Sequence, residues 1–239
     1  MQRYFARTVG ERVILNDDDV FHLTRVMRAR RGDNIEVVSD GMVYLAEVQS
    51  LRPLEISLVK RIRENNELSN DVILIASLIK GEKMDLVLQK ATELGVSEIV
   101  LLQSERSVVK IKKDDKDVKF ARFNKILKEA AEQSRRSKIP ALYRLIDIVN
   151  LRTIEADVRL IAYEGMEGNT ESFNKVLQNI KSKDKIAIII GPEGGFSEKE
   201  IDIATHLGYK KISLGRRILR AETASFYALS VISNYLERK

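Results

Sequence analysis

Apolar residues fall along this chain in two rhythms. Up to about residue 66 they come in short runs of strand length, Ile35–Val38, Val43–Val48 and Ile56–Lys60, broken by Ser39-Asp40-Gly41 and Arg52-Pro53. Asp-Gly between two such runs predicts a tight hairpin. Ahead of them Val20, Leu23 and Met27 share a face of a short helix over 17–28. It ends in the arginines Arg25, Arg28, Arg30 and Arg31, with Gly32 as its stop. From residue 72 onward, strand and helix patterns alternate. Val72–Ala76, Glu98–Leu102, Arg159–Tyr163, Ile186–Ile190 and Lys211–Leu214 read as strands. Glu82–Leu94 carries Met84, Val87, Leu88, Ala91 and Leu94 on one helical face, with Gly95 after it. Asp117–Ser137 carries Phe120, Phe123, Leu127 and Ala130, and a last helix begins near Glu222. Such alternation predicts a mostly parallel sheet of at least five strands with helices on both faces, an α/β architecture. The polar, unpatterned stretch 64–71 reads as a linker between a β-rich domain, 1–66, and an α/β domain, 72–239.

Two glycine-bearing loops each follow a strand of the second domain. Gly191-Pro192-Glu193-Gly194-Gly195 follows Ile186–Ile190, and Leu214-Gly215-Arg216-Arg217-Ile218-Leu219-Arg220 follows Lys211–Leu214. The first runs into a helix with a full start signal: Ser197 and Glu200 as a capping box, Phe196 and Ile201 as a hydrophobic staple, and Gly208 as the stop. Loops at the carboxyl ends of parallel strands form a binding crevice, and glycines let a ligand lie against the main chain. One such loop alone reads as turn punctuation. Two on successive strands, the second carrying Arg217, Arg220 and Glu222, read as a ligand site. GPEGGF lacks the Lys-Ser/Thr of a P-loop and does not fit G-x-G-x-x-G, so ordinary nucleotide motifs do not describe it.

Composition narrows the chemistry. The chain has no cysteine, which excludes disulfides, thiolate nucleophiles and cysteine metal sites. Its two histidines, His22 and His206, are far apart in sequence, so no metal site is expected, and His22 reads as structural. No apolar stretch approaches a membrane span and no secretory signal is visible, so a cytoplasmic protein is the expectation. The net charge of +6 is localised: residues 105–140 hold 12 Lys/Arg against 6 Asp/Glu, and the rest of the chain is balanced. That excess suits either a polyanion-facing surface or a solvated helix face.

The segments IGPEGGFSEKE and LGRRILRAETA, in this order, resemble the cofactor-binding signature of the SPOUT-class RNA methyltransferases, and more narrowly of the ribosomal RNA small subunit methyltransferase E family. Three further segments extend the resemblance over nearly the whole chain: His22-Leu23 with Val26 and Arg28, Lys80–Gly95, and Glu129–Arg136 with Glu105-Arg106-Ser107 upstream. The resemblance implies a PUA-like β-barrel that binds RNA, then a SPOUT-type domain threaded as a C-terminal trefoil knot, in a homodimer. A C-terminal stripe of Ala224, Tyr227, Ala228, Val231 and Tyr235, widened by Phe226 and Ile232, gives dimerisation a physical basis. The implied reaction is S-adenosylmethionine-dependent methylation of N3 of a uridine in 16S ribosomal RNA of the small subunit.

By the same resemblance, the cofactor lies against Ile190, Gly191, Pro192, Glu193, Gly194 and Gly195, against Leu214, Gly215, Arg217, Ile218 and Leu219, and near Leu78, Thr223 and Ala224. Methyl transfer of this kind needs alignment of donor and acceptor and no metal. N3 of uracil is a poor nucleophile until its proton leaves, so a base or an oxyanion-stabilising cation belongs nearby. Arg220 is the expected cation. Glu222 is the expected base or positioning group, and reads equally as an acid favoured at a helix start. Glu193 reads as a loop-holding residue. Arg25, Arg28, Lys80, Lys83, Arg106, Arg135 and Arg136 are the expected RNA contacts; Arg135 departs from the small residue expected there. Two other readings stay open: a non-catalytic RNA-binding assembly factor, and the same fold acting on another base or a ribose 2′-OH.

Overall fold

The computed structural model describes residues 1–164 and 171–238; residues 165–170 and Lys239, which fall inside the expected second domain, lie outside the described residues. The chain forms two compact units, one of Met1–Glu67 with Lys128–Lys138, the other of Leu68–Leu127 with Ile139–Lys239.

The first unit holds strands β1 (Arg3–Phe5), β2 (Arg7–Val9) and β3 (Arg12–Ile14), helix α1 (Asp17–Phe21), and strands β4 (Asn34–Ser39), β5 (Met42–Leu51) and β6 (Leu54–Ile62). Among the described residues they make a six-stranded sheet in the order β1-β4-β5-β6-β3-β2. β1 is parallel to β4 and the other pairs are antiparallel. Asp40 and Gly41, with φ of 50° and 72°, make the predicted two-residue turn between β4 and β5. The strand period of two puts Ile35 and Val37 into a core with Tyr4, Val13, Leu23, Ala46, Val48 and Ile56.

The expected single helix over 17–28 is instead α1 followed by a π-helical turn, His22–Val26. The wider turn rotates the face that follows, so Leu23 stays buried while Met27 is 50% exposed. The segment stops at Arg28, left-handed with φ 52°, rather than at Gly32. His22 accepts or donates at Nδ1 with the Tyr4 hydroxyl, 2.9 Å away. Burial pushes the Tyr4 phenol well above its ordinary range.

Long-range polar contacts put 128–138 into this unit. Lys128 Nζ lies 2.5 Å from Asp19 Oδ1 and 2.9 Å from Glu132 Oε1. Arg3, fully buried, meets Glu36 at 2.8 Å and Glu64 at 3.0 Å and also donates to the Arg135 carbonyl. Glu67 Oε2 holds Arg136 Nη2 at 2.5 Å, while its Oε1 accepts the Ser137 N–H.

The second unit runs β7 (Val72–Ser77), α2 (Glu82–Glu93), β8 (Glu98–Leu102), α3 (Lys116–Gln133, whose last residues group with the first unit), β9 (Ala141–Ile146), β10 (Val158–Ala162), β11 (Glu171–Ser172), α4 (Phe173–Gln178), β12 (Ile186–Ile190), α5 (Glu198–His206), β13 (Lys210–Ser213) and α6 (Ala221–Glu237). Among the described residues the sheet has seven strands, β11-β13-β10-β12-β7-β8-β9, and every pair is parallel. Alternation sorts each strand between two cores. Val72, Leu74, Ile186 and Ile188 pack with α2, α3 and α6 residues on one face; Ile73, Ile75, Ala187 and Ile189 pack with Phe196, Ile201 and Ala204 on the other. The described residues contain no helix long and apolar enough to cross a membrane.

Candidate functional site

The order β13-β10-β12 places three strand ends side by side. The segments leaving them, Tyr163-Glu164, Gly191–Ser197 and Leu214–Arg220, all exit at carboxyl ends, where an open parallel sheet builds its binding sites. They line a cavity of about 770 Å³, within the range of small-molecule sites. Its walls are mixed. Ile190, Leu214, Ile218, Leu219 and Ala224 are apolar, the glycine loops offer main chain, and Lys83, Arg106, Arg217, Arg220, Glu164, Glu193 and Glu198 bring charge.

The loop after β12 is held on several sides. Ser197 caps α5, accepting from the Glu200 N–H while Glu200 Oε2 accepts the Ser197 N–H at 3.0 Å, the predicted capping box. Glu200 is buried and has a second partner that the sequence did not announce: its Oε1 accepts the Glu105 N–H at 2.8 Å. Ser197 Oγ in turn donates to Glu105 Oε2 at 2.8 Å. Arg106 closes the contact, donating to the carbonyls of Gly194 and Phe196 at 3.3 Å each. The 104–107 turn is therefore a strut behind the glycine loop. Glu193 Oε1 faces the Lys80 N–H at 3.5 Å, a loop-holding contact. Gly195 has φ 65° and Gly215 φ 121°, values that L side chains rarely adopt, so both loops depend on glycine for their course.

At the rim, Arg220 is the N-cap residue of α6 and Glu222 lies in that helix's first turn. Glu222 Oε1 pairs with Lys83 Nζ at 3.2 Å. Its Oε2 is buried and has no hydrogen-bond partner among the described residues. Desolvation works to raise the Glu222 pKa, but its own main-chain N–H, Lys83 and Arg220 outweigh it and hold the carboxyl below its usual range.

The cavity brings together Ile190, Gly191, Pro192, Glu193, Gly194, Gly195, Leu214, Gly215, Arg217, Ile218, Leu219, Ala224 and Arg220, with Lys83 and Arg106. Leu78 is instead buried in the core, and Thr223 is exposed outside the lining. Ala162, Tyr163, Glu164, Phe196, Glu198, Ser213 and Ala221 line it unforeseen; the strand-end position of Tyr163-Glu164 was the available signal. Among the expected RNA contacts, Arg25 and Arg28 are exposed in the first unit and Lys80 is exposed in the second. Arg135 is exposed, with φ 57°. Arg136 is only 2% exposed and committed to Glu67, so its placement is structural. The basic excess over 105–140 is likewise partly consumed inside the protein, by Asp85 on Arg122 as well as by the partners of Lys128 and Arg136. No cluster of potential metal ligands occurs among the described residues.

Residues 66–233 match a family model described as an RNA methyltransferase domain, and 15–60 match one described as an RNA methyltransferase PUA domain. Ribosomal RNA small subunit methyltransferase E of Bacillus subtilis is 35% identical over 255 aligned positions, covering 99% of this chain and 98% of that one. A crystal structure of ribosomal RNA small subunit methyltransferase E from Neisseria gonorrhoeae, bound to S-adenosylmethionine, superposes with a TM-score of 0.86 at 30% identity, covering 98% of this chain and 97% of that one. A methyltransferase of Legionella pneumophila, also solved with S-adenosylmethionine, gives 0.88 at 29% identity, covering 97% and 96%. With both of its family matches, a full-length relative and this strand-end cavity in agreement, the chain belongs to the ribosomal RNA small subunit methyltransferase E family.

Proposed function

We propose that this protein uses S-adenosylmethionine to methylate N3 of a uridine in 16S ribosomal RNA of the small subunit, in the cytoplasm and as a homodimer. One observation carries the reading: both glycine loops, from strands separated only by β10, line a single cavity large enough for the cofactor. The relatives solved with S-adenosylmethionine support the ligand assignment. On the same reading the six-stranded sheet is a PUA-like barrel. The run of β1 directly into β2, at opposite edges of the sheet, and the Thr8–Ser39 hydroxyl contact support closure. A trefoil knot through the C-terminal strands of the second unit completes the SPOUT-type fold.

The residues present fit the group. Main-chain donors and acceptors of Gly191–Gly195 and Leu214–Leu219 would hold adenosine, with Ile190, Ile218 and Leu219 as apolar cover. Bound S-adenosylmethionine supplies an electrophilic methyl group on a sulfonium. The protein's task is alignment and charge. Arg220 faces the cavity as a cation for the acceptor's oxygens or phosphate. Glu222, held ionised by its neighbours, is a weak base, which favours a positioning role for it. Arg25, Arg28, Lys80 and Arg135 would meet RNA phosphates.

Methyl-labelled S-adenosylmethionine offered with small subunits, or with protein-free ribosomal RNA, both from cells lacking this protein, tests the reading. Label recovered as 3-methyluridine is the expected result. Label on another nucleoside removes the N3 assignment, and no label with RNA binding intact favours an assembly factor. Gly195→Asp should abolish cofactor binding by calorimetry, because its Cβ would stand 3.6 Å from Glu164 Oε1, its carboxylate adds a second negative charge beside Glu164, and φ there already favours glycine. Unchanged affinity would remove the proposed placement.

A further inference from the structure

Lysines 80 and 83 look equivalent in the sequence, and the fold separates them. Lys80 is exposed outside the cavity lining, whereas Lys83 lines the cavity together with both glycine loops. Lys83 stands in the first turn of α2, where the helix dipole disfavours a cation. Its side chain is 39% exposed, and its ammonium pairs with Glu222, itself 13% exposed, in the first turn of α6. A lysine that only decorated the surface would gain nothing from that position. The arrangement instead fixes a positive charge at the cavity wall with N–H donors to spare, since one carboxylate contact leaves two of the three free. Arg106 is instead tied through Nη1 to the carbonyls of Gly194 and Phe196, behind the glycine loop. Arg217 and Arg220 are exposed on the 214–220 loop, and among the described residues neither forms an ion pair like that of Lys83.

Resting on the proposed N3 methylation, we infer that Lys83 is a catalytic residue: its ammonium stabilises the uracil anion formed when N3 loses its proton, and Glu222 positions it. The N3–H bond breaks with its electron pair left on N3, and the proton passes to a solvent hydroxide to give water. The ring's negative charge spreads onto O2 and O4, one of which accepts from the ammonium. N3 then forms its bond to the methyl carbon as the carbon–sulfur pair returns to sulfur. The cation acts on charge that develops during the reaction, in a partly water-excluded wall, so its effect falls on turnover rather than on RNA affinity.

Steady-state kinetics with small subunits, resolved into kcat and KM across pH and salt, test this. Lys83→Ala should lower kcat about 100-fold, as removal of an oxyanion donor does, with KM and its salt dependence unchanged. Its rate should also keep climbing with pH where the wild type levels off, because hydroxide must then do more of the work. Lys83→Arg should recover part of kcat, and Glu222→Gln should lower kcat in the same direction as Lys83→Ala. Lys80→Ala should show the opposite signature, a raised KM with a salt slope lower by about 0.9, as for one lost phosphate contact. If Lys83→Ala instead raises KM and flattens the salt slope with kcat intact, or changes nothing, the inference falls while the proposed function stands. If the wild type makes no 3-methyluridine, both fall. Equal melting temperatures for Lys83→Ala and wild type, or failing that the kinetics of the milder Lys83→Arg, separate catalysis from folding.

Discussion

Arg135 sits where a helix prefers glycine. α3 ends in a Schellman arrangement, with the Arg136 N–H on the Ala131 carbonyl at 2.9 Å and the Arg135 N–H on the Glu132 carbonyl at 3.3 Å. That motif puts Arg135 at φ 57°, a conformation costing an L residue about 1–2 kcal/mol. Arg135→Gly removes the strain and keeps the carbonyl that Arg3 uses, and the added unfolded-state entropy offsets only part of the gain. A rise of about 0.5–1 kcal/mol in unfolding free energy is expected, read from the urea midpoint. Glu222 makes a different residue-scale prediction. Its folded pKa lies below the ordinary 4.5, so its contribution to stability is present above that value and is lost as pH falls through the folded one. Urea midpoints of the wild type should therefore drop more steeply than those of Glu222→Gln as pH is taken below about 4.5.

At the scale of elements, α5 does two jobs with one carboxylate. Glu200 caps its own helix and ties the 104–107 turn to the glycine loop. Glu200→Ala removes the N3 half of the capping box, leaving the Ser197 N–H without its partner, and releases the part-buried Glu105 N–H. A loss of about 1–3 kcal/mol in chemical unfolding is expected, with weaker cofactor binding by calorimetry. The cap was legible in the sequence because its partners lie three residues apart. The strut was not, because Glu105 and Glu200 meet only through the sheet. The same distinction runs through the fold. β7, β8, β10 and β12 announce themselves as largely apolar runs, whereas β9 carries Tyr143 and Arg144 as an edge strand and gives a mixed signal. The π turn after α1 has no local signature, so Met27 was expected inside and lies outside. Arg136 read as a surface cation until Glu67 supplied its partner. Both cavity loops were visible as glycine motifs, while Tyr163 and Glu164 join them only through the register of β10 between β12 and β13.

For the whole molecule, charge is the property the sequence overstates. A net +6 concentrated over 105–140 reads as one basic face, yet Asp19, Glu67, Asp85 and Glu132 consume several of its cations. RNA binding should therefore lose affinity with salt less steeply than twelve free cations would give, and a slope of log affinity against log salt near −5 or shallower is expected, at about −0.9 per phosphate neutralised. Light scattering at micromolar concentration should return a dimer mass; a monomer would remove the homodimer from the proposal.

The cavity also has an order of assembly written along the chain. Lys83 and Arg106 are synthesised early, Tyr163-Glu164 and the Gly191–Gly195 loop later, and the 214–220 loop with the start of α6 after all of them. β13 must settle beside β10 before the second loop has any wall to meet. A growing chain therefore carries half a pocket for most of its synthesis and cannot hold the methyl donor. On the proposed function, a nascent chain stays unarmed until the 214–224 segment has emerged and folded, so a half-made copy has no means of marking RNA.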